Sequence, residues 1–363
     1  MKKVGILTFH NAYNYGAVLQ AYATQEIVKK LGHEAIVIDY CNKAVEDVYN
    51  ERKLHLRFIF RKRFWLTPKY IIEKYLYWKQ RREYHSFNEK YINLSSKHGK
   101  SFKEDELKEY DLVLIGSDQL WNKKITGGFD RLYWGDFKTK PTAKIITWSI
   151  SMNDLGLDEN EKGYVRLHLE NFSAISVREE SLKTMLSDFT NKEIIQTLDP
   201  TLLLPRNKWE ELCHPVKERD YIAVYAIQGE AETINLARAI GERMQKKVVV
   251  IHNYSRLMPG GGHIQCGGPC DFLSYIRFSD LVVTSSFHGT AFSLIFEKNF
   301  VCFEPLGKEN SRIRSLLRYY GLEEHIIKDA TTLPSFDRKW KDIQMAKQST
   351  LSFLKNALSE SNN

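Results

Sequence analysis

The sequence predicts an α/β protein with parallel sheets, organised as two domains. Short apolar runs alternate with stretches of helical apolar spacing, and this alternation starts again in the second half of the chain. The length of 363 residues also fits two domains of roughly 150 residues each. We place the domains at 1–205 and 206–337, and we expect a C-terminal helix within 338–363 to pack back on the first domain.

The first elements form a β-α-β unit. Val4–Thr8 is a short apolar run, Ala17–Leu31 has helical apolar spacing, and a second apolar run covers Ala35–Asp39. A strand, a helix and a strand in this order imply two parallel strands of one sheet. Further strands of the first half are predicted at 112–115, 144–150, 174–177 and 194–198, and the last of them runs into Asp199-Pro200.

The second half repeats the alternation after a segment bounded by Pro205 and Pro215. Strands are predicted at 221–226, 247–252, 281–284 and 300–303. Helices are predicted at 230–244, 271–278, 290–296 and 338–358. Two such series predict two Rossmann-like units rather than one large sheet.

Composition narrows the class of protein. Hydrophobic residues make up 43% and charged residues 27%, which is ordinary for a globular protein and excludes extended disorder. The five cysteines are scattered, and Cys266 and Cys270 lack a second pair, so we expect neither a disulfide framework nor a metal site. No apolar stretch approaches 18 residues, and the expected location is the cytoplasm.

One segment does not follow this alternation of strands and helices. Residues 51–85, within a basic aromatic helical segment at 51–95, contain eleven Lys or Arg, three acidic residues and nine aromatic residues. Their net charge of +8 equals that of the whole chain. Such a stretch either lies on an anionic membrane surface, here the inner face, or forms surface helices whose aromatic rings complete the core. Because the basic excess is confined to this segment, we do not expect nucleic acid as a partner.

Polar motifs follow several predicted strands, where ligands bind in open α/β sheets. The motif at 10–17 can offer backbone N–H groups before a helix, although an ordinary turn has the same composition. The motif at 116–122 places Asp118 beside hydroxyl and amide groups and Trp121, as a carbohydrate site requires. The alternative for Asp118 is a helix N-cap.

Two further motifs supply a cation and a titratable group. Arg178 stands where a strand becomes a helix and is placed to bind a phosphate or carboxylate, or else it pairs with Glu179 or Glu180. The motif at 284–291 combines hydroxyl groups and backbone N–H groups with His288. Histidine is the side chain that changes charge near neutral pH, so this motif is the strongest candidate for chemistry.

Together these motifs resemble the polysaccharide pyruvyl transferase family. The similar blocks occur in the family's order within residues 4–322, at 14–17, 19–22, 116–121, 176–179, 198–203, 285–290 and 312–317. The resemblance implies a fold similar to that of GT-B glycosyltransferases, with the active site in the cleft between the domains. It also implies phosphoenolpyruvate as donor substrate, a sugar acceptor in a polysaccharide or lipid-linked precursor, and a cyclic pyruvate ketal formed with release of phosphate.

The resemblance and the chemistry of the side chains assign roles to residues. His288 is expected to be the general acid that protonates the donor's methylene carbon, and Asp118 the base that assists the sugar hydroxyl. The expected donor-binding residues are Arg178, Ser285, Ser286, Gly289, Thr290, Arg312 and Arg314. The expected acceptor-binding residues are Asn14, Tyr15, Gly16, Ser117, Gln119 and Trp121. No metal or other cofactor is expected.

One departure from the family affects the donor site. Ser286 stands two positions before His288, where some relatives carry arginine, so Arg312 and Arg314 are the expected substitutes. Two other functions remain open at this point. One is a glycosyltransferase of the same fold with a nucleotide-sugar donor, which needs a base and ribose pocket in the second domain. The other is a non-catalytic protein that binds polysaccharide or membrane.

Overall fold

The chain opens with the predicted β-α-β unit. In the computed structural model, strand β1 spans Lys3–Leu7, helix α1 spans Tyr15–Lys30 and strand β2 spans Glu34–Val37. Helix α1 begins two residues earlier than predicted because the Asn14 side chain caps it. The structure describes residues 1–48, 67–95, 102–152, 156–227, 229–252, 263–264, 267–304, 310–337 and 340–359.

The first half contains a parallel sheet of four strands in the order β2-β1-β3-β4. Strand β3 spans Leu112–Ile115 and β4 spans Lys144–Thr147. Strands β5 (Ile175–Val177) and β6 (Ile194–Gln196) pair in parallel with each other, and isolated bridges connect β5 to the region of β4. The carboxyl ends of β1, β3, β5 and β6 therefore share one edge.

Helices surround this sheet. They are α2 (Lys43–Val48), α3 (Thr67–Tyr91), α4 (Lys123–Thr126), α5 (Glu159–Leu169), α6 (Glu180–Ser187) and α7 (Arg206–Glu210). Of the predicted basic aromatic segment at 51–95, residues 67–95 are described, and α3 forms most of this part. The remainder of that segment's densest charge, including Arg61, Lys62 and Arg63, lies outside the described residues.

The second half contains a parallel sheet of six strands in the order β12-β11-β10-β7-β8-β9. The strands are β7 (Tyr221–Tyr225), β8 (Lys247–Ile251), β9 (His263–Ile264), β10 (Leu281–Thr284), β11 (Asn299–Phe303) and β12 (Ile326–Ile327). The helices are α8 (Glu230–Met244), α9 (Pro269–Phe278), α10 (Phe287–Ile295), α11 (Ser311–Tyr320) and α12 (Gln344–Ser359). The parallel sheets in the two halves confirm the predicted α/β class with parallel strands in two groups.

Tyr15 joins the two halves. Its ring stacks on Phe272 of α9, with centroids 4.9 Å apart and planes 9° from parallel. Its hydroxyl lies within hydrogen-bond distance of two backbone oxygens, those of His252 at 2.8 Å and Gly267 at 3.0 Å, which share its single proton. Tyr15 is fully buried by these contacts, which contradicts its expected role in binding the acceptor.

The last helix, α12, lies against the end of the first half. The backbone N–H of Leu198 donates to the hydroxyl of Thr350 at 3.0 Å. Phe353 and Leu354 of α12 are buried in the same apolar cluster as Leu198. This cluster contains residues of both halves of the molecule, so shared apolar packing joins the halves.

Candidate active site

Five polar segments follow parallel strands and meet where the two halves face each other. Four of them follow β1, β3, β5 and β6 in the first half, and the fifth follows β10 in the second. Contacts join the segments directly, since Asp199 after β6 reaches Arg178 after β5, Ser117 after β3 and His288 after β10. This meeting point is the position that open α/β folds use for ligands.

Asp199 lies at the centre of this cluster and is buried. Its Oδ2 is 2.7 Å from Nη2 of Arg178 and accepts a hydrogen bond from the Ser117 hydroxyl at 3.2 Å. Its Oδ1 accepts from the backbone N–H of Thr201 at 2.9 Å and from the Thr201 hydroxyl at 2.6 Å. Burial alone would raise the pKa of Asp199, but Arg178 and His288 outweigh burial and hold this pKa well below its usual value. The carboxylate is therefore charged.

Asp199 is not among the site residues predicted from the sequence. The available signal was its position directly after the predicted strand at 194–198, in a block that resembles the family. Arg178 was expected to bind the donor or to pair with Glu179 or Glu180. Its ion-pair partner in the structure is Asp199 instead, and the two charges are buried together.

His288 reaches the same carboxylate from the second half. Its Nε2 lies 3.8 Å from Oδ2 of Asp199. The imidazole ring packs on the backbone of Gly16, where a Cβ atom would lie 1.9 Å from Nδ1 of His288. Phe287 meets the imidazole edge-on, with centroids 5.2 Å apart, and its ring lies 4.7 Å from the Arg178 guanidinium carbon. Gly16, Arg178 and His288, all predicted site residues, therefore come together.

Several buried nitrogen atoms of this cluster have no hydrogen-bond partner within the described part of the chain. They are Nε and Nη1 of Arg178, Nε2 of His288 and Nε of Arg312. Buried polar groups of folded proteins are nearly always paired. Unpaired donors on two guanidinium groups and an imidazole are suited to an anion with several oxygen atoms.

Arg312 and Glu179 form the outer part of the cluster. Arg312 is partly exposed, but its Nε is buried, and burial lowers the pKa of its guanidinium against the opposing effect of Glu179. Burial raises the pKa of Glu179, which accepts a hydrogen bond from the Ser151 hydroxyl. Arg312 also lies within electrostatic reach of Asp118 and Asp199.

Two predicted site residues act as helix caps. The Asn14 side chain accepts from the backbone N–H of Ala17 at 3.3 Å. The Ser286 side chain accepts from the N–H of Gly289 at 3.5 Å, so α10 begins three residues earlier than predicted. As a result His288 belongs to the first turn of a helix, where the N-terminal end of the helix dipole favours a nearby anion.

The remaining residues of this turn are packed inside the second half. Ser285 is buried, and its N–H donates to the backbone oxygen of Tyr225 at 3.4 Å. The Thr290 hydroxyl donates to the carbonyl oxygen of Ser286 at 3.0 Å and lies 3.1 Å from Sγ of Cys302. These contacts contradict the expectation that the Thr290 side chain binds the donor. Gly289 lies in the same turn and packs closely on Thr284. A Cβ atom at this position would lie 2.2 Å from Oγ1 of Thr284.

Of the residues that follow β3, some lie at the candidate site and others are packed in the apolar core. Ser117 and Asp118 are buried near Asp199 and Arg312, and Asp118 Oδ1 accepts from the N–H of Gln119 at 2.9 Å. Gln119 remains partly exposed. Trp121 was expected to be a platform for the acceptor sugar. It is fully buried instead, stacked on Trp134 with centroids 4.2 Å apart, and it donates from Nε1 to the backbone oxygen of Tyr133 at 2.8 Å.

Arg314 does not join the cluster. It pairs with Glu304, from Nη2 to Oε2 and from Nε to Oε1, the second bond being 3.2 Å long. Of the two arginines expected to share the donor charge, Arg312 lies at the cluster and Arg314 is paired with Glu304. The two side chains are two positions apart on α11 and point to different partners.

Among the residues that the structure describes, no group of three or more His, Cys, Asp and Glu side chains is arranged to hold a metal ion. No helix in the same ranges is long and apolar enough to span a membrane. Cys266, half of the cysteine pair noted in the sequence, lies outside these ranges.

The two parallel sheets and the cluster between them define a two-domain enzyme fold of the GT-B type. Similar solved structures include a putative UDP-N-acetylglucosamine 2-epimerase from Listeria monocytogenes, with 10% identity, 99% of this chain and 88% of that chain covered, and a TM-score of 0.51. A second is UDP-GlcNAc 2-epimerase from Neisseria meningitidis, with 12% identity, 98% and 100% covered, and a TM-score of 0.50. At these identities the similarity shows the fold alone.

The amino-acid sequence also identifies the family of the chain. The family model for polysaccharide pyruvyl transferase matches residues 14–306, and the chain belongs to that family. The match covers all the strand ends that form the cluster except the first residues after β1. No curated protein is significantly similar in sequence. The protein is therefore a transferase by family, which confirms the resemblance seen in the motifs.

Proposed function

We propose that this protein transfers pyruvate from phosphoenolpyruvate to a sugar residue of a polysaccharide or lipid-linked precursor, forming a cyclic ketal and releasing phosphate. Membership of the family supports the reaction class. The observation that supports this donor is a set of buried nitrogen atoms on Arg178, His288 and Arg312 that have no hydrogen-bond partner among the described residues. Phosphoenolpyruvate brings a carboxylate and a phosphate, whose oxygen atoms match these donors.

The two guanidinium groups have complementary roles in this proposal. Arg178 uses Nη2 for Asp199 and Ser117, which leaves Nε and Nη1 for one anionic group of the donor. Arg312 faces the other anionic group, and the start of α10 adds backbone N–H groups. This arrangement replaces the arginine that some relatives carry at the position of Ser286.

The chemistry requires a proton at C3 of the donor. His288 gives this proton, which turns the methylene into a methyl group and makes C2 electrophilic. One sugar hydroxyl adds to C2, phosphate leaves, and the second hydroxyl adds to the same carbon. Of the two hydroxyl protons, one restores His288 and the other leaves with phosphate, so that the sugar gains pyruvate less one water.

Two carboxylates assist in different ways. Asp199 acts as a positioning residue, because it contacts Arg178 and lies 3.8 Å from His288 while being buried from solvent. Asp118 is the base that assists the attacking hydroxyl, and its closeness to Arg312 puts it beside the proposed donor site. Asn14 and Gln119 are partly exposed at the same edge and are the proposed contacts for the acceptor.

The proposal is tested by phosphate release from phosphoenolpyruvate. The full chain should release phosphate in the presence of some members of a panel of galactosides and N-acetylmannosaminides, and not without a sugar. Mass spectrometry should find the accepted sugar heavier by pyruvate less one water. Release without ketal formation would show hydrolysis instead and would contradict the transfer.

A thermal-shift comparison separates this proposal from nucleotide-sugar transfer on the same fold. Phosphoenolpyruvate should raise the unfolding temperature at concentrations where inorganic phosphate does not. Stabilisation by UDP or GDP without any effect of phosphoenolpyruvate would instead support a nucleotide-sugar donor. Absence of stabilisation by all of these, with retained binding to polysaccharide, would support a non-catalytic protein.

A further inference from the structure

Helix α3 exposes three large apolar side chains on one face. Ile71, Tyr75 and Trp78 are 61%, 58% and 55% exposed. Their spacing of four and three residues places them in one line along the helix. The rings of Tyr75 and Trp78 contact each other, with centroids 6.4 Å apart. A continuous apolar line of this kind on a soluble domain marks an interaction surface.

Basic side chains flank this line. Lys74, Lys79 and Arg82 are exposed, and the Arg82 guanidinium carbon lies 5.6 Å from the centre of the Trp78 ring. In the sequence, residues 67–82 contain five Lys or Arg against one Glu. Apolar and aromatic side chains between cations suit a surface that is both apolar and anionic.

The opposite face of α3 is fixed to the protein near the candidate active site. Tyr84 and Phe87 are buried in the main apolar cluster. The Arg81 guanidinium carbon lies 4.8 Å from the ring of Tyr13, and the Tyr13 hydroxyl is 3.4 Å from Nε2 of His85. Tyr13 immediately precedes Asn14 in the loop after β1. The exposed face therefore belongs to a helix that also supports the loop proposed to contact the acceptor.

We propose that this face of α3 docks the protein on an anionic phospholipid membrane. The docking face consists of Ile71, Tyr75 and Trp78 with the flanking Lys74, Lys79 and Arg82. Tyrosine and tryptophan favour the boundary between headgroups and acyl chains, and the cations meet the anionic headgroups. Aromatic rings interleaved with cations along one helix face are typical of a segment that lies on an anionic lipid surface, and this favours a membrane over an acidic protein.

Vesicle binding by the full chain tests the proposal. The protein should sediment with vesicles of phosphatidylcholine and phosphatidylglycerol at low salt, and added salt should release it. Vesicles of phosphatidylcholine alone should bind it much more weakly. Each basic side chain at such a surface contributes about fivefold in affinity, so reversal of three should weaken binding at least ~100-fold.

The charge test uses Lys74→Glu, Lys79→Glu and Arg82→Glu in one variant. Its matched control reverses three other exposed lysines, at 217, 247 and 355, in the second half of the chain. Both variants change the net charge equally. Only the α3 variant should lose the vesicles, and both should release phosphate with a soluble sugar acceptor as the wild type does.

The apolar test uses Tyr75→Ser with Trp78→Ser. Its matched control is Leu167→Ser with Met345→Ser, since these side chains are 68% and 85% exposed elsewhere on the molecule. The α3 variant should bind vesicles about tenfold more weakly or worse, in line with the loss of two interfacial aromatic groups. The control should bind as the wild type does.

Several results would overturn the proposal. Failure of the wild-type protein to bind anionic vesicles at low salt is one, and equal loss of binding in the α3 variants and their controls is another. If the Tyr75 and Trp78 replacements instead lower the molar mass in solution and leave vesicle binding unchanged, the face is an interface between copies. If the α3 variants lose phosphate release with a soluble acceptor, this face belongs to the folded core or the active site and is not a docking surface.

Discussion

Nε2 of His288 lies 3.8 Å from Oδ2 of Asp199, although the two residues follow strands of different sheets. The same carboxylate oxygen lies 2.7 Å from Arg178. One buried negative charge therefore orients both the proposed acid and the proposed donor ligand.

His288→Ala should lower the rate of phosphate release at saturating donor by at least ~10²-fold, as expected for loss of a general acid. The fold should remain, because the ring packs on Gly16 and Phe287 without supporting the central sheets. Turnover and circular dichroism are measured together. Activity close to that of the wild type in a folded variant would remove His288 from the mechanism.

Asp199→Asn should abolish turnover and lower the free energy of unfolding by about 3 kcal/mol, since it leaves the buried Arg178 charge uncompensated. Urea unfolding and phosphate release are the measurements. The matched control is Asp188→Asn, an exposed carboxylate at the end of α6, which should change neither quantity appreciably. A fully active Asp199→Asn enzyme would show that the carboxylate does not position the site.

Arg312→Gln should weaken binding of phosphoenolpyruvate by about 1.5–3 kcal/mol, the range for a hydrogen bond to a charged group. Arg314→Gln is its control on the same helix, because Arg314 is engaged by Glu304 and partly exposed. That change should alter donor affinity by less than ~0.5 kcal/mol. Calorimetric titration measures both, and equal effects would mean that the two arginines are not distinguished by the site.

Gly16→Ala should reduce turnover at least ~10-fold, because the added methyl group would lie 1.9 Å from Nδ1 of His288 and the ring must move. Gly163→Ala is the control, since Gly163 on α5 has no atom within 4 Å of the position of an added Cβ. The control should keep full activity and gain about 0.5–1 kcal/mol of stability from helix propensity. Full activity in Gly16→Ala would show that the ring tolerates displacement.

Glu179→Gln should become more stable relative to the wild type as the pH rises. Burial raises the pKa of Glu179 above its usual 4.5, so the folded state holds its proton more tightly than the unfolded state does. That contribution to stability is complete below the unfolded pKa and is lost as the pH rises through the folded pKa. The uncharged glutamine avoids this loss. Exposed Glu180→Gln should show no such trend in unfolding temperature between pH 4 and pH 8, roughly the range of carboxyl and histidine titration.

The fold could be predicted because its determinants are local. Apolar runs mark the strands, and side-chain caps at Asn14 and Ser286 mark where α1 and α10 begin. The capping residues are polar, so the spacing of apolar residues does not reveal them. Both helices therefore start earlier than predicted. The parallel order followed from the alternation of strands and helices.

The site could be predicted only in part because its contacts are non-local. The sequence shows that Arg178 and Asp199 each follow a strand, but not that the pairing of β5 with β6 brings them together. Burial of Trp121 depends on Trp134, and engagement of Arg314 depends on Glu304. Residue type alone cannot distinguish a side chain facing a ligand from one facing a partner elsewhere in the chain.

Tyr15 and Gly16 are adjacent, and this adjacency links the angle between the two halves to the proposed proton donor, His288. Tyr15 is bonded to two backbone oxygens of the second half, while Gly16 touches the His288 ring. A hinge rotation wide enough to break the Tyr15 bonds would also withdraw His288 from Asp199. The contacts that hold the two halves together and the contact that orients the proposed proton donor would therefore be lost together.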